Sequence, residues 1–489
     1  MPLGEGAQRP GSKAPRSAEI AAAGRLPGVV FTLLLALVAL SPLPQGGREA
    51  WSAFILIAWV GVLLLLAGLA GLVGKAAGWP VRWLPARQMR LPVALFVGVC
   101  VWAALQWMPW TPAALHHPLW ADAARTLDED LAGRISLNPE RTLAALLQLL
   151  AYGGVFLLAL ALGRDDSRAR RGFQVFVYSG LGYALYGLAA FFSGSELTLW
   201  FGERSDVGAL SSTFENRNSY ATLAGMGLIA AFALFLDGLG AVLRARVPMR
   251  TRFGWILREV FGPGAPRLVA VLVLATALLL TASRGGTLAT LFGLLVLVLS
   301  ALRAGALPGR YVSALASFFL FAALLVFMLS GDHLARRLER LDPDIEVRTV
   351  VYALIVDAIG DAPLLGTGYG TFPDVFPLYR DDSVLQTTRW QRAHNSYLEN
   401  ALELGVPAAT ALCVAIAACA RCCWLGIRRR RRRRIYPMVG VALTATVAAH
   451  AWVDFSLQIP AVGIGYAFIL GIASAQSFPS RRRTKDVTH

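Results

Sequence analysis

The chain has 489 residues, of which 56% are hydrophobic and only 16% charged, and its net charge is +16. A soluble domain carries roughly 25% charged residues, so this composition excludes a freely water-soluble enzyme. The mean hydropathy of +0.56 is spread over recurrent apolar runs long enough for a hydrocarbon core of ~30 Å; they lack the alternation of barrel strands, so helices are required.

Residues 1–26 form a basic leader that reads as a disordered cytoplasmic terminus. No clean small-residue cleavage site precedes the second apolar run, which argues against a signal peptide. Twelve helices are expected, at 27–43, 51–74, 90–108, 141–162, 172–193, 217–237, 266–283, 285–302, 311–330, 396–420, 437–455 and 458–476. A basic tail, 477–489, closes the chain. The fold class is therefore an all-α polytopic membrane protein. One transmembrane domain, 27–476, encloses a large outward loop, 331–395, with short helices of its own. Cys100, Cys413, Cys419, Cys422 and Cys423 fall in spans or at their edge, so neither a disulfide framework nor a metal cluster is expected.

With twelve spans, the basic clusters before the first helix, after the second, and at 164–171, 243–252 and 428–434 share one side. Short loops rich in Lys and Arg stay cytoplasmic, which puts both termini inside. The arginine tract lacks a surrounding recognition module, so contact with membrane lipids, not nucleic acid, accounts for it.

Three long segments, 109–140, 194–216 and 331–395, lie on the other side. In the first, Asn138 is placed to cap the fourth span, with Pro139 at its first position and Glu140 in its first turn. In the third, 331–341 reads as a basic amphipathic helix at the membrane surface and 347–363 as a second helix that stops at Pro363. The following GTGYG lacks the lysine and hydroxyl of a phosphate-binding loop and reads as a flexible turn or lid. His116, His117 and His333 are taken as surface residues without partners.

Arg217, Arg284, Arg348 and His394 all fall at the outward ends of helices or beside them. Arginine offers planar, charge-assisted donors that can clamp a diphosphate and stabilise it as it leaves. Histidine can accept a proton from a hydroxyl near neutral pH. The blander alternative is that each arginine snorkels to the headgroup layer while His394 caps a helix. Asp454, near the outer end of the eleventh span, is costly unless paired or hydrated, and His450 stands one turn before it.

FENRNSYATL, TASRGG, HNSYLENALELGVPAA and WVDFSLQIPA, in that order, make the sequence resemble the O-antigen ligase and polysaccharide polymerase family, over roughly 200–470. The resemblance implies a GT-C-like membrane glycosyltransferase. Such an enzyme takes an undecaprenyl-diphosphate-linked oligosaccharide at the periplasmic face of the inner membrane and passes it, with inversion and without metal or cofactor, to a hydroxyl. The acceptor would be another lipid-linked chain (polymerase), lipid A–core (ligase) or a protein side chain. It further implies that Arg217 and Arg284 hold the diphosphate, with Arg348 and Tyr352 as a loop pair beside it, and that His394 is the base or orients the acceptor. Glu215, Asn218, Ser219, Asn395, Tyr397, Glu399 and Asp454 are expected to support these groups, with Glu215 orienting Arg217 or serving as an alternative base. Polymerase is favoured because the acidic and basic residues of 371–392 nearly cancel. A monomer, with a separate chain-length regulator as possible partner, is the expectation. A transporter of lipid-linked glycan would instead place charges along a central path with inverted repeats, and neither is evident.

Overall fold

A computed structural model describes residues 14–76, 87–194, 208–338, 343–381, 384, 390–430 and 433–478. The start of the leader, most of 194–216, part of 371–392 and nearly all of the tail lie outside the described residues. Among those described, the chain is helical throughout, with no strand. The helices are α1 (Ala14–Leu40), α2 (Ala50–Ala76), α3 (Arg90–Trp107), α4 (Leu119–Leu127), α5 (Pro139–Leu162), α6 (Asp166–Phe192), α7 (Arg217–Arg244), α8 (Met249–Phe261), α9 (Ala265–Leu280), α10 (Arg284–Arg303), α11 (Gly309–Leu338), α12 (Pro343–Asp361), α13 (Phe372–Val375), α14 (Ser396–Leu404), α15 (Val406–Arg429), α16 (Ile435–His450) and α17 (Pro460–Ala475).

Eight of them, α2, α3, α5, α6, α7, α10, α11 and α15, are long and apolar enough to cross a membrane. A ninth crossing arises if α8 and α9, bent by 69°, form one broken span. The expected twelve are therefore not all met. Each of α16 and α17 has 16 residues, about 24 Å at 1.5 Å per residue, which is short of the hydrocarbon core. The residues missing from their facing ends, 451–459, form a non-helical corner broken by a single short turn. Every residue of α17 is buried, so protein rather than lipid surrounds it.

Other boundaries moved for local reasons. The expected helix 396–420 is two helices, because Gly405 at φ +78° breaks it just before Pro407; His394 therefore precedes an extramembrane helix, not a span. The surface helix expected at 331–341 continues α11 up to Leu338. The basic stretch expected as a loop at 243–252 runs into α8, which exposes Met249, Phe253, Trp255 and Phe261 beside its arginines in the manner of an interfacial helix.

The centre of the bundle is α7, with 72% of its spanning window buried against 11% for α11 at the periphery. Asn138 caps α5 as expected, accepting from Arg141 N at 3.2 Å. At one end of the bundle, Asp166 meets Arg430 at 3.7 Å and Arg433 at 3.5 Å, and Arg244 and Arg434 donate to the Ala306 and Ala304 carbonyls. The basic segments 164–171, 243–252 and 428–434 thus meet, among the described residues, at the end opposite to the N-termini of α7 and α10.

Beyond the other end stands a second hydrophobic core, built from Val351, Ile355, Phe372, Val375, Phe376 and Leu402. It makes the outward loop a folded unit. GTGYG, expected as a flexible turn or lid, is hydrogen-bonded to the end of α14 and to α3, and Tyr369 packs on a separate cluster with Val99, Leu146 and Leu404. Gly366, Gly368 and Gly370 all have positive φ, Thr367 N and Gly368 N donate to Leu402 O and Glu403 O at 3.0 Å, and Tyr369 N donates to Gln106 Oε1 at 3.1 Å. His116 also has a partner: its Nε2 lies 2.8 Å from the Thr111 carbonyl.

At Gly368, φ +110°, a Cβ would stand 2.4 Å from Ser136 Oγ. Gly368→Ala is expected to lower stability by at least ~1–2 kcal/mol, the cost of a left-handed non-glycine residue alone. Gly360→Ala, in α12 with open space around it, should be neutral or stabilising. Thermal unfolding of the two purified variants checks the contrast.

Candidate active site

Three helices begin on side-chain caps at this end. Asn216 Oδ1 accepts from Asn218 N at 2.7 Å, Ser283 Oγ from Gly286 N at 3.2 Å, and Asn395 Oδ1 from Tyr397 N at 3.0 Å. Arg217 and Arg284 are consequently the first residues of α7 and α10, and His394 stands just before the cap of α14. A cation at a helix N-terminus opposes the helix dipole. An anion bound beside such a helix start offsets the penalty. Arg284 is exposed, with no ion-pair partner among the described residues; Arg217 is half-buried.

All three helix starts pack on the α16–α17 corner. Ser396 N donates to Ala451 O and Ser396 Oγ to Asp454 O, both at 2.9 Å. From α7, Thr222 Oγ1 donates to Ser456 Oγ at 2.9 Å. From α10, Gly285 comes so close that a Cβ on it would lie 3.0 Å from Val453 Cγ2 and 3.3 Å from the His450 ring.

His394 has φ +52°, an uncommon conformation for a residue with a Cβ. Its Nδ1 faces Asp454 Oδ1 at 3.9 Å, and both atoms are buried without a hydrogen-bond partner. Tyr352 Oη donates to the His394 carbonyl at 2.9 Å, while Phe455 and Trp390 stand edge-on to the ring at 4.9 and 5.9 Å. Burial, and then the positive charge of Arg348, push the His394 pKa below its usual value, with Asp454 opposing. The imidazole is therefore neutral at pH 7 and able to take a proton. An approach of about 1 Å would bring Nδ1 into hydrogen-bonding range of Asp454, leaving Nε2 as the acceptor.

Asp454 is itself held from below. Ser456 Oγ donates to Asp454 Oδ2, Thr222 Oγ1 lies 2.8 Å from His450 Nδ1, and His450 Nδ1 is 4.0 Å from Asp454 Oδ2. The sequence places His450 one helical turn before Asp454, but α16 ends at His450, and the two side chains are neighbours without a hydrogen bond between them. Thr222 and Ser456 carry no sequence signal of their own, although Thr222 lies one turn beyond Asn218, whose carbonyl oxygen stands 3.1 Å from Thr222 Oγ1.

The remaining expected residues hold the frame. Asn395 is engaged as a cap. Tyr397 Oη donates to Ala448 O at 2.8 Å, its ring resting 5.0 Å from that of Trp452. Glu399, fully buried, accepts from Arg392 Nη1 at 3.2 Å and from Ala393 N at 2.8 Å, which fixes the backbone just before His394. Ser219 is buried at the start of α7. Glu215 forms an ion pair with Arg48, a cation passed over in the sequence because it sits in the short α1–α2 connection. Among the described residues, no three His, Cys, Asp or Glu side chains gather in a metal-binding group.

One turn beyond Glu399, Glu403 accepts from Phe372 N at 2.9 Å. Burial and then the neighbouring Glu399 raise its pKa. A carboxyl whose folded pKa is raised contributes stability that is full below the unfolded value near 4.5 and is lost as pH rises through the folded value. Thermal stability is expected to fall over that window in the native protein and to stay flatter in Glu403→Gln, as pH-dependent unfolding would read.

These features define a class: an all-helical polytopic membrane protein with a cation-bearing cluster of helix ends and a buried His–Asp pair at one end of its bundle. Residues 269–413 match the family model Wzy_C, described as O-antigen ligase. The matched stretch contains Arg284, Arg348, Tyr352 and His394, whereas Arg217 and Asp454 lie outside it. No curated protein matches the chain.

Proposed function

We propose that the protein is a membrane glycosyltransferase that moves an oligosaccharide from an undecaprenyl-diphosphate donor to a sugar hydroxyl of another lipid-linked chain. The observation that carries this reading is the His394–Asp454 pair, two buried unpartnered atoms facing each other beside helix ends that bear arginines.

In this mechanism the Arg217 and Arg284 guanidinium groups bind the donor diphosphate, with the positive dipole ends of α7 and α10 beside it. His394 Nε2 takes the proton of the acceptor hydroxyl while Asp454 holds Nδ1–H and balances the imidazolium that forms. The acceptor oxygen bonds to the anomeric carbon from the face opposite the leaving group. The bond from that carbon to the diphosphate oxygen breaks, its electron pair stays on the diphosphate, and the configuration inverts. Arginine charge and positioning supply most of the stabilisation, since a diphosphate leaves readily. The reaction end of the bundle faces the periplasm and the basic end the cytoplasm, by the positive-inside rule.

Polymerisation is preferred over ligation because the segment 371–392 holds three aspartates against three arginines, a charge balance without the excess of cations that a phosphorylated core calls for. The test is a reaction in lipid vesicles with the lipid-linked oligosaccharide alone, then with lipid A–core. A ladder of longer lipid-linked chains from the donor alone is the expected result. Product only with lipid A–core makes the protein a ligase, and no product with either overturns the transferase reading for these acceptors.

A further inference from the structure

A groove of about 710 Å³ opens along the flank of α6, against the last turn of α1. On α6 its lining runs from Arg171 to Tyr186, 15 residues and so about 22 Å along the axis. That exceeds one leaflet, which is half of the ~30 Å core. A single acyl chain of a bilayer lipid stops near the midplane, whereas a polyprenyl chain goes further.

Two of the polar groups that line the groove are turned away from it. Ser179 Oγ and Tyr183 Oη both donate to the Ala39 carbonyl, at 3.2 and 2.8 Å, satisfying a carbonyl at the end of α1 and leaving mainly carbon facing outward. Gly182 lies exposed along it, and a Cβ there would meet nothing within 4 Å. Its upper end is formed by Leu43 and Thr213. Thr213 Oγ1 donates to Pro42 O at 2.6 Å, and Thr213 is four residues from Arg217, while Leu43 is five from Arg48. The upper end of the groove is thus built by the segments that lead directly into Arg48 and into the start of α7.

We infer that this α1–α6 groove is the binding site for the polyprenyl chain of the diphosphate-linked donor, with the diphosphate at the Arg217 end. The inference rests on the proposed transferase reading, and the experiment separates the two. Protein in phosphatidylglycerol-containing nanodiscs is titrated with undecaprenyl diphosphate and with a three-isoprene diphosphate, for wild type, Gly182→Phe and Gly98→Phe. Gly98 is an exposed helix position elsewhere with equally open space, so it controls for an added ring on the lipid face.

Wild type is expected to bind the long chain at least tenfold more tightly than the short one. Gly182→Phe is expected to remove that advantage while leaving short-chain affinity unchanged, and Gly98→Phe to bind as wild type does. Equal affinity for both chains in the wild type overturns the groove assignment without needing any variant. Long-chain affinity unchanged in Gly182→Phe, with loss of co-purified phosphatidylglycerol, overturns it in favour of a bilayer lipid. If neither diphosphate binds the wild type, the donor reading itself fails and the groove assignment with it.

Discussion

Replacing His394 by alanine is expected to lower glycan transfer by about 10²–10⁴-fold, the range for loss of a positioned general base, with donor affinity changed less than threefold. The separation follows from the geometry. His394 stands before α14 and faces Asp454 at 3.9 Å, whereas the diphosphate is assigned to the starts of α7 and α10. Asp454→Asn should also impair turnover more than binding, because Nδ1 loses its anionic partner and the imidazolium its counter-charge. The pH dependence tests the same arrangement. Burial and Arg348 depress the His394 pKa below 6.5, so the base stays deprotonated as pH falls and activity should hold until an acid limb below that value. In Arg348→Met the second cause is removed, and the limb should move to higher pH. A stopped or steady-state pH–rate profile of the two proteins decides it; an unmoved limb would mean that Arg348 does not act on His394.

The Arg217, Arg284 and His394 positions are legible as ionisable residues at expected helix ends, but of the caps only Asn138 is read from sequence. Asn216, Ser283 and Asn395 prove to be the caps beside them, and His394, a candidate cap, instead precedes one. Helix centres were equally legible, since they depend on apolar content alone. What could not be read depends on contacts between distant segments. Thr222 and Ser456 are 234 positions apart and meet only because α7 packs on the corner after α16. GTGYG looks flexible by composition, yet its glycines are there because Ser136, Ala145 and the Glu403 backbone leave no room for a Cβ. The expected count of twelve spans is met only in part, and α16 and α17 fall short for a related reason. Hydropathy extends α16 and α17 toward each other across 451–459, while the chain leaves the helix there to place Asp454 in the protein interior, fully buried. Glu399 is expected among the supporting residues, but only the fold shows how: its carboxylate secures Arg392 and the Ala393 amide, supporting His394 through the backbone.

Arg284→Ala is expected to weaken donor binding by about 10–100-fold, the equivalent of losing a charge-assisted hydrogen bond of ~1.5–3 kcal/mol. Titration with undecaprenyl diphosphate in nanodiscs measures it directly. Arg284 has no ion-pair partner among the described residues, so its removal leaves no buried counter-charge behind and folding should be unaffected. Removing it even eases the conflict between a cation and the N-terminus of α10, so thermal stability without ligand should stay level or rise. Arg284→Lys separates charge from shape. If the guanidinium clamps two phosphate oxygens, lysine restores the charge but not the paired donors, and affinity should recover only in part. Full recovery with lysine would mean that the residue acts as a point charge. An alanine variant that binds as tightly as wild type while losing stability would instead return Arg284 to a structural role at the membrane surface and leave Arg217, with α7, as the anchor for the diphosphate.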